Sequence, residues 1–135
     1  MRFDIAMHAS QGRRRYQEDT ALFWPGGVDA LAPAATTRAE GELLAVLADG
    51  MGGHAGGALA SRLVCESFLS AFAANTNDHR QGLADGLEAA NTAITRKVRE
   101  NPRLKGMGST LIGAAFTPEG VSWVSVGDSP LYLWR

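Results

Sequence analysis

The sequence predicts an α+β fold in which antiparallel β-sheets carry helices packed on one face. Three observations predict it. Strand-like segments come first, two helical patterns follow, and strand-like segments return. The hydrophobic period changes from helical to alternating after about residue 108. Short turns join consecutive strands, which favours antiparallel pairing over crossovers.

Phe3 to Ala9 ("FDIAMHA") alternates loosely and is expected to be a strand. "SQGRRRYQED" reads as a loop and "TALFW", ending before Pro25, as a second strand. Residues 25–40 ("PGGVDALAPAATTRAE") are small, Pro/Gly-rich and weakly patterned, so a surface loop is expected. "ELLAVLAD" is a nearly continuous apolar run bounded by turn signals, the pattern of a strand buried on both faces. In "ALASRLVCESFLSAFAAN", Leu59, Leu63, Val64, Phe68 and Phe72 recur at helical spacing. After a break, Asn77 or Asp78 is placed to cap a second helix, whose stripe is Leu83, Leu87, Ala90, Ile94 and Val98. Pro102 closes that helix. "TLIGAAF", the turn "TPEG" and "VSWVSV" form a β-hairpin pattern, and "PLYLWR" is expected to begin another strand.

The 135 residues suffice for one domain with a real core, and residues 1–135 are read as a single unit. Thirteen basic against fourteen acidic residues give a net charge of −1, which argues against nucleic-acid or membrane-surface binding. No apolar run approaches the roughly 20 residues that span a bilayer, and "MRFDIAMHAS" lacks a secretory apolar stretch. The single cysteine, Cys65, sits in a helical pattern, is expected to be a buried small hydrophobe, and fits a reducing compartment. A cytoplasmic location is expected on these grounds.

The stretch Leu47 to Ser61, "LADGMGGHAGGALAS", carries the first chemical signal. Asp49 ends an apolar run, and five glycines fall within the next eight positions. Glycine costs roughly 0.5–1 kcal/mol relative to alanine in a regular element, so this spending of backbone stiffness suggests a close approach to the main chain. Glu18 and Asp19 follow the cluster Arg13, Arg14, Arg15, and Asp128 ends the hairpin in "VGDS". Each acid lies where a strand meets a loop, positions that gather side chains at one end of a sheet. Carboxylates gathered there repel unless protonated or neutralised by a cation, and hard divalent ions take carboxylate, carbonyl and water oxygens. Arginine beside such a centre pairs phosphate oxygens in fork geometry. Together these suit phosphate-ester hydrolysis. Plainer readings stand beside this one. Acids at strand ends are often solvated turn residues, and a glycine-rich loop before a helix can cradle a nucleotide phosphate. Here, however, the lysine of a P-loop and the GxGxxG pattern are absent. His54 reads as a ligand, an acid catalyst or a residue that packs the loop or touches substrate.

Four segments, "QGRRRYQED", "VLADGMGGHAGGALAS", "GMGSTL" and "VSVGDSPLYLWR", appear in that order. Together they resemble the bacterial form of the metal-dependent protein serine/threonine phosphatases of type 2C, over Gly12 to Arg135. The resemblance implies half of an α-β-β-α sandwich and a phosphoprotein substrate. It assigns Arg14 to substrate phosphate, Glu18, Asp49 and the Gly50 carbonyl to metal, and Asp19 to support of metal waters. Asp128 goes to the metal-site periphery. The implied cofactor is Mn²⁺ or Mg²⁺, two or three ions in a complete domain, and a metal-activated water attacks phosphorus in line without a phosphoenzyme.

The sequence departs from the family pattern in two ways. Family catalytic domains are close to twice this length, and their later half supplies further metal-binding aspartates. The chain is therefore expected to be the N-terminal part of a longer phosphatase domain, weak or inactive alone, or to self-associate. Pro130 stands where the family carries arginine, removing a backbone donor. A catalytically incomplete module that binds phosphoprotein or a partner through Arg14 is the alternative expectation.

Overall fold

The computed structural model describes residues 1–25, 34–52, 55–74 and 78–134. These form seven strands and two α-helices: β1 (Arg2–His8), β2 (Asp19–Trp24), β3 (Ala34–Glu40), β4 (Leu43–Met51), α1 (Ala55–Ala73), α2 (His79–Glu100), β5 (Gly108–Ser109), β6 (Leu111–Thr117) and β7 (Gly120–Val126). A five-stranded antiparallel sheet runs β2-β4-β6-β7, with β5 extending the end of β4. A separate two-stranded sheet pairs β1 with β3. The predicted α+β class and the order of strands, helices and strands are therefore observed.

Both helices pack on one face of the larger sheet. Leu44, Val46 and Ala48 alternate along β4 and are buried beneath Val64, Cys65, Phe68 and Phe72 of α1 and Leu83 and Ala90 of α2. Phe68 reaches the centre of this layer because Gly86 of α2 and Gly113 of β6 leave room for its ring. Gly86, a cost to the helix in isolation, thus admits one of the two fully buried phenylalanines of α1. The Asp78 carboxylate caps α2 by accepting from the main-chain N–H groups of Arg80 and Gln81, as expected for one of the two candidates. Asn77 lies outside the described residues. The helix ends at Glu100 with Asn101 as its C-cap and Pro102 opening a 3₁₀ turn. Cys65 is fully buried, its thiol is pushed up to about 12 by burial, and it donates to the Thr20 carbonyl. It behaves as the expected small hydrophobe.

The other face of β4 corrects the sequence reading. The apolar run predicted burial on both faces, but Leu47 is 43% exposed and Ala45 is half-buried. The two-stranded sheet covers only one end of this face, where Ile5 and Leu43 bury against Phe3, Phe23 and Phe116. A cleft lined by Ala21, Leu47, Ile112 and Leu131 stays open beside it.

Two further expectations are revised. Residues 25–40 were expected to be loop, yet Ala34–Glu40 is a strand in register with β1 from Arg2↔Glu40 to His8↔Ala34. Tertiary pairing, which a weak hydrophobic pattern does not encode, decides it. Residues 26–33 lie outside the described residues. "PLYLWR" was expected to begin a strand, but residues 129–134 form none, and Leu131 to Trp134 are exposed. Pro130 cannot donate to a ladder.

Candidate metal centre

The sheet's antiparallel order brings the start of β2, the end of β4, the start of β6 and the end of β7 to one edge. Asp19 and Asp49 are direct partners across the β2–β4 ladder. Side chains of such a pair project to the same face, here the face away from the helices, which Leu47 shares. The two carboxyl groups are therefore neighbours. Desolvation at the strand end, then the nearby Asp49 carboxylate, raise the Asp19 pKa above the ordinary aspartate value. Arg14 opposes the rise and Glu18 adds to it. Asp19, Asp49, Glu18 and Arg14 thus share one electrostatic neighbourhood.

Glu18 precedes β2 by one residue and projects toward the start of α1. Its carbonyl accepts the Gly50 N–H at 3.0 Å. A Cβ on Gly50 would collide with the Gly57 carbonyl, and a Cβ on Gly57 would collide with the Glu18 carboxylate. Three pieces of chain thus meet with no room for another side chain. This accounts for two of the glycines after Asp49: they let the β4 terminus and the first turn of α1 close on Glu18. The Arg14 guanidinium lies 3.7 Å from the Glu18 carboxylate, with side chains 70% and 18% exposed, so Arg14 faces solvent above a half-buried acid. Gln17 Oε1 accepts the main-chain N–H groups of Glu18 and Asp19, fixing the entry to β2.

Asp128 is exposed in the bend after β7, at the same edge of the sheet. Among the described residues, no three His, Cys, Asp or Glu side chains stand close enough together to form a metal-binding group. The structure therefore sets Asp19 beside Asp49 and Arg14 beside Glu18, without joining three of the acids in one compact group, and Asp128 stands outside both pairs. His54 lies outside the described residues.

The residues present fit a hard divalent ion in their chemistry. The donors are all oxygen, the Asp19–Asp49 carboxylate pair on one side and the Glu18 carboxylate with the Gly50 main-chain carbonyl beside Gly57 on the other. Desolvation first, and then the neighbouring Asp49 charge, raise the Asp19 pKa, and a cation would relieve the second of these.

Sequence reasoning gave no role to Ser109 and Thr110. Thr110 is 3% exposed, and its Oγ1 accepts the Asp49 N–H at 2.9 Å while its own N–H donates to the Asp49 carbonyl at 2.9 Å. Ser109 Oγ, with one proton to share, lies 3.0 Å from that carbonyl oxygen and 2.8 Å from the Thr110 carbonyl oxygen. The hydroxyl pair in "GMGSTL" was the available signal.

The family profile described as Protein phosphatase 2C matches residues 28–135. The chain belongs to the protein phosphatase 2C family. Among curated relatives of this family, serine/threonine protein phosphatase PstP of Mycobacterium tuberculosis is 41% identical over 100 residues, 70% of this chain and 19% of that protein. Protein phosphatase PhpP of Streptococcus pneumoniae is 31% identical over 99 residues, covering 70% of this chain and 40% of PhpP. The crystal structure of the catalytic domain of PstP in complex with two manganese ions superimposes with a TM-score of 0.71. There the identity is 30%, over 94% of this chain and 48% of that one. The chain thus spans about half the length of a phosphatase 2C catalytic domain of known structure. Among the described residues no helix is long and apolar enough to cross a membrane.

Proposed function

We propose that residues 1–135 form the N-terminal part of a metal-dependent protein serine/threonine phosphatase domain that removes phosphate from phosphoserine or phosphothreonine in proteins. The observation that carries this reading is the Asp19–Asp49 carboxyl pair set beside Glu18 and Arg14 at one edge of the sheet. Glu18, Asp49 and the Gly50 carbonyl hold Mn²⁺ or Mg²⁺, and Asp128 stands at the periphery of the centre. When bound, such an ion polarises phosphate oxygen and lowers the pKa of water. Asp19 accepts hydrogen bonds from water around the centre. The exposed Arg14 guanidinium takes two phosphate oxygens in fork geometry and orients the ester. His54 contacts substrate. The protein works in the cytoplasm on phosphoprotein, without nucleic acid or membrane as partner.

Hydrolysis of an aryl phosphate by this chain, with and without Mn²⁺, tests the reading. Turnover is expected to be low, to require the ion and to vanish in Asp49→Asn. Full turnover in a chelator, or turnover indifferent to Asp49→Asn, would contradict it.

A second reading is a catalytically incomplete module that binds phosphoprotein or a partner. Two observations favour it: no three-donor metal group among the described residues, and exposed apolar side chains at Leu47, Trp123, Val126 and Leu131. Those side chains suit cover by further chain of the same domain or by a second copy. Tight stoichiometric Mn²⁺ binding without turnover would favour the module.

A further inference from the structure

We propose that Thr110 is a positioning residue that holds the Asp49 end of β4 and the Gly127–Ser129 turn in one register. It thereby sets where the Asp49 and Asp128 carboxylates stand relative to each other. The inference toward metal rests on the reading of Asp49 as a metal ligand given above.

Thr110 lies between β5 and β6 and is almost fully buried. Each part of it meets a different piece of the site. Its main-chain N–H and its Oγ1 bond the carbonyl and N–H of Asp49, so the Asp49 backbone is held from both sides. The same Oγ1 lies 2.7 Å from Ser129 Oγ, one residue beyond Asp128. The Thr110 methyl stands 2.7 Å from where a Cβ at position 127 would be, so Gly127, at φ +94°, lets the turn close against it. Hydroxyl and methyl are thus both committed, one to hydrogen bonds and one to packing. Serine keeps the first and loses the second, whereas valine keeps the shape and loses the hydroxyl. Outer-shell groups that orient metal ligands commonly matter this much to affinity.

The test is Mn²⁺ calorimetry on the wild-type chain, Thr110→Val, Thr110→Ser and Ser129→Ala, with the melting temperature of each. Thr110→Val is expected to weaken Mn²⁺ binding roughly tenfold, Ser129→Ala by less, and Thr110→Ser to restore most of the affinity. A lowered melting temperature with wild-type affinity in Thr110→Val would make the role merely structural and overturn the proposal. If Thr110→Val fails to fold, Ser129→Ala carries the test, and unchanged affinity there overturns the proposal. If the wild-type chain binds no Mn²⁺, the ligand reading of Asp49 fails, and amide resonances of the metal-free protein judge the coupling. Asp49→Asn should then shift the Asp128 and Ser129 amides in the wild-type background and leave them in place in the Thr110→Val or Ser129→Ala background. Equal shifts in both backgrounds, or none in either, overturn the coupling.

Discussion

Across the β2–β4 ladder Asp19 pairs directly with Asp49, which sets their two carboxyl groups side by side on one face of the sheet. Desolvation, and then the Asp49 carboxylate beside it, make ionisation of Asp19 costly, which makes the site sensitive to pH and to cations.

The first expected outcome concerns pH. The Asp19 pKa is raised in the folded chain above its ordinary value of 3.8. Between those two values the native state holds more protons than the unfolded state, so this group's contribution to stability falls as pH rises through the interval. In the absence of divalent ions, Asp19→Asn should therefore be more stable than wild type at pH 7. The difference should close as pH drops below the ordinary aspartate value. Urea melts across pH measure it, and a gap that widened toward acid would contradict a raised Asp19 pKa.

Arg14→Ala should separate phosphate from metal. The guanidinium lies beside Glu18 and is largely exposed, so its loss removes a phosphate partner and relieves a positive charge near the carboxylates. Inorganic phosphate should bind more weakly, while Mn²⁺ affinity should hold or rise by no more than about fivefold, the range of an exposed ion pair. Calorimetry with each ligand reads both. Weaker Mn²⁺ binding in the variant would contradict the arrangement.

Two adjacent glycines should behave oppositely. A Cβ on Gly57 meets the Glu18 carboxylate, whereas one on Gly56 comes no closer than 3.8 Å to the Met107 side chain. Gly57→Ala is expected to lose roughly 1–3 kcal/mol of stability through overpacking and to weaken Mn²⁺ binding. Gly56→Ala should be neutral or gain up to about 1 kcal/mol from helix propensity. Equal melting temperatures for the two variants would remove the close-approach account of the glycine run.

Cys65 should be silent. Its buried thiol, pushed up to about 12, is expected to resist alkylation in the native chain at pH 8 and to react promptly once urea unfolds it. Mass spectrometry of the alkylated chain decides this, and rapid native labelling would contradict the burial.

Much of this arrangement was legible in the sequence where local pattern and tertiary environment agree. The Leu83–Ala90–Ile94 stripe, the Asp78 cap and the "TPEG" turn each carry their own local chemistry, and the structure forms each as read. The pairing of β3 was not legible, because "AATTRAE" has no apolar alternation and its partners lie 26 to 38 positions away, from Ala34↔His8 to Glu40↔Arg2, in a separate sheet. The exposure of Leu47 was hidden for the opposite reason. A continuous apolar run states that a strand can be covered on both faces and does not state what covers it. In the site, Asp49 and Glu18 announced themselves by charge beside glycine, while Thr110 did not, since a threonine at a strand start is ordinary until its hydroxyl is seen between Asp49 and Ser129.

The central claim is that Glu18 and Asp49 hold a divalent ion beside Arg14. A calorimetric Mn²⁺ titration of the wild-type chain against Glu18→Gln and Asp49→Asn, each confirmed folded by its melt, tests it most directly. The account predicts saturable binding by the wild type and loss of it in both variants. Folded wild type that takes up no Mn²⁺ at millimolar supply, or variants that bind as the wild type does, would contradict it.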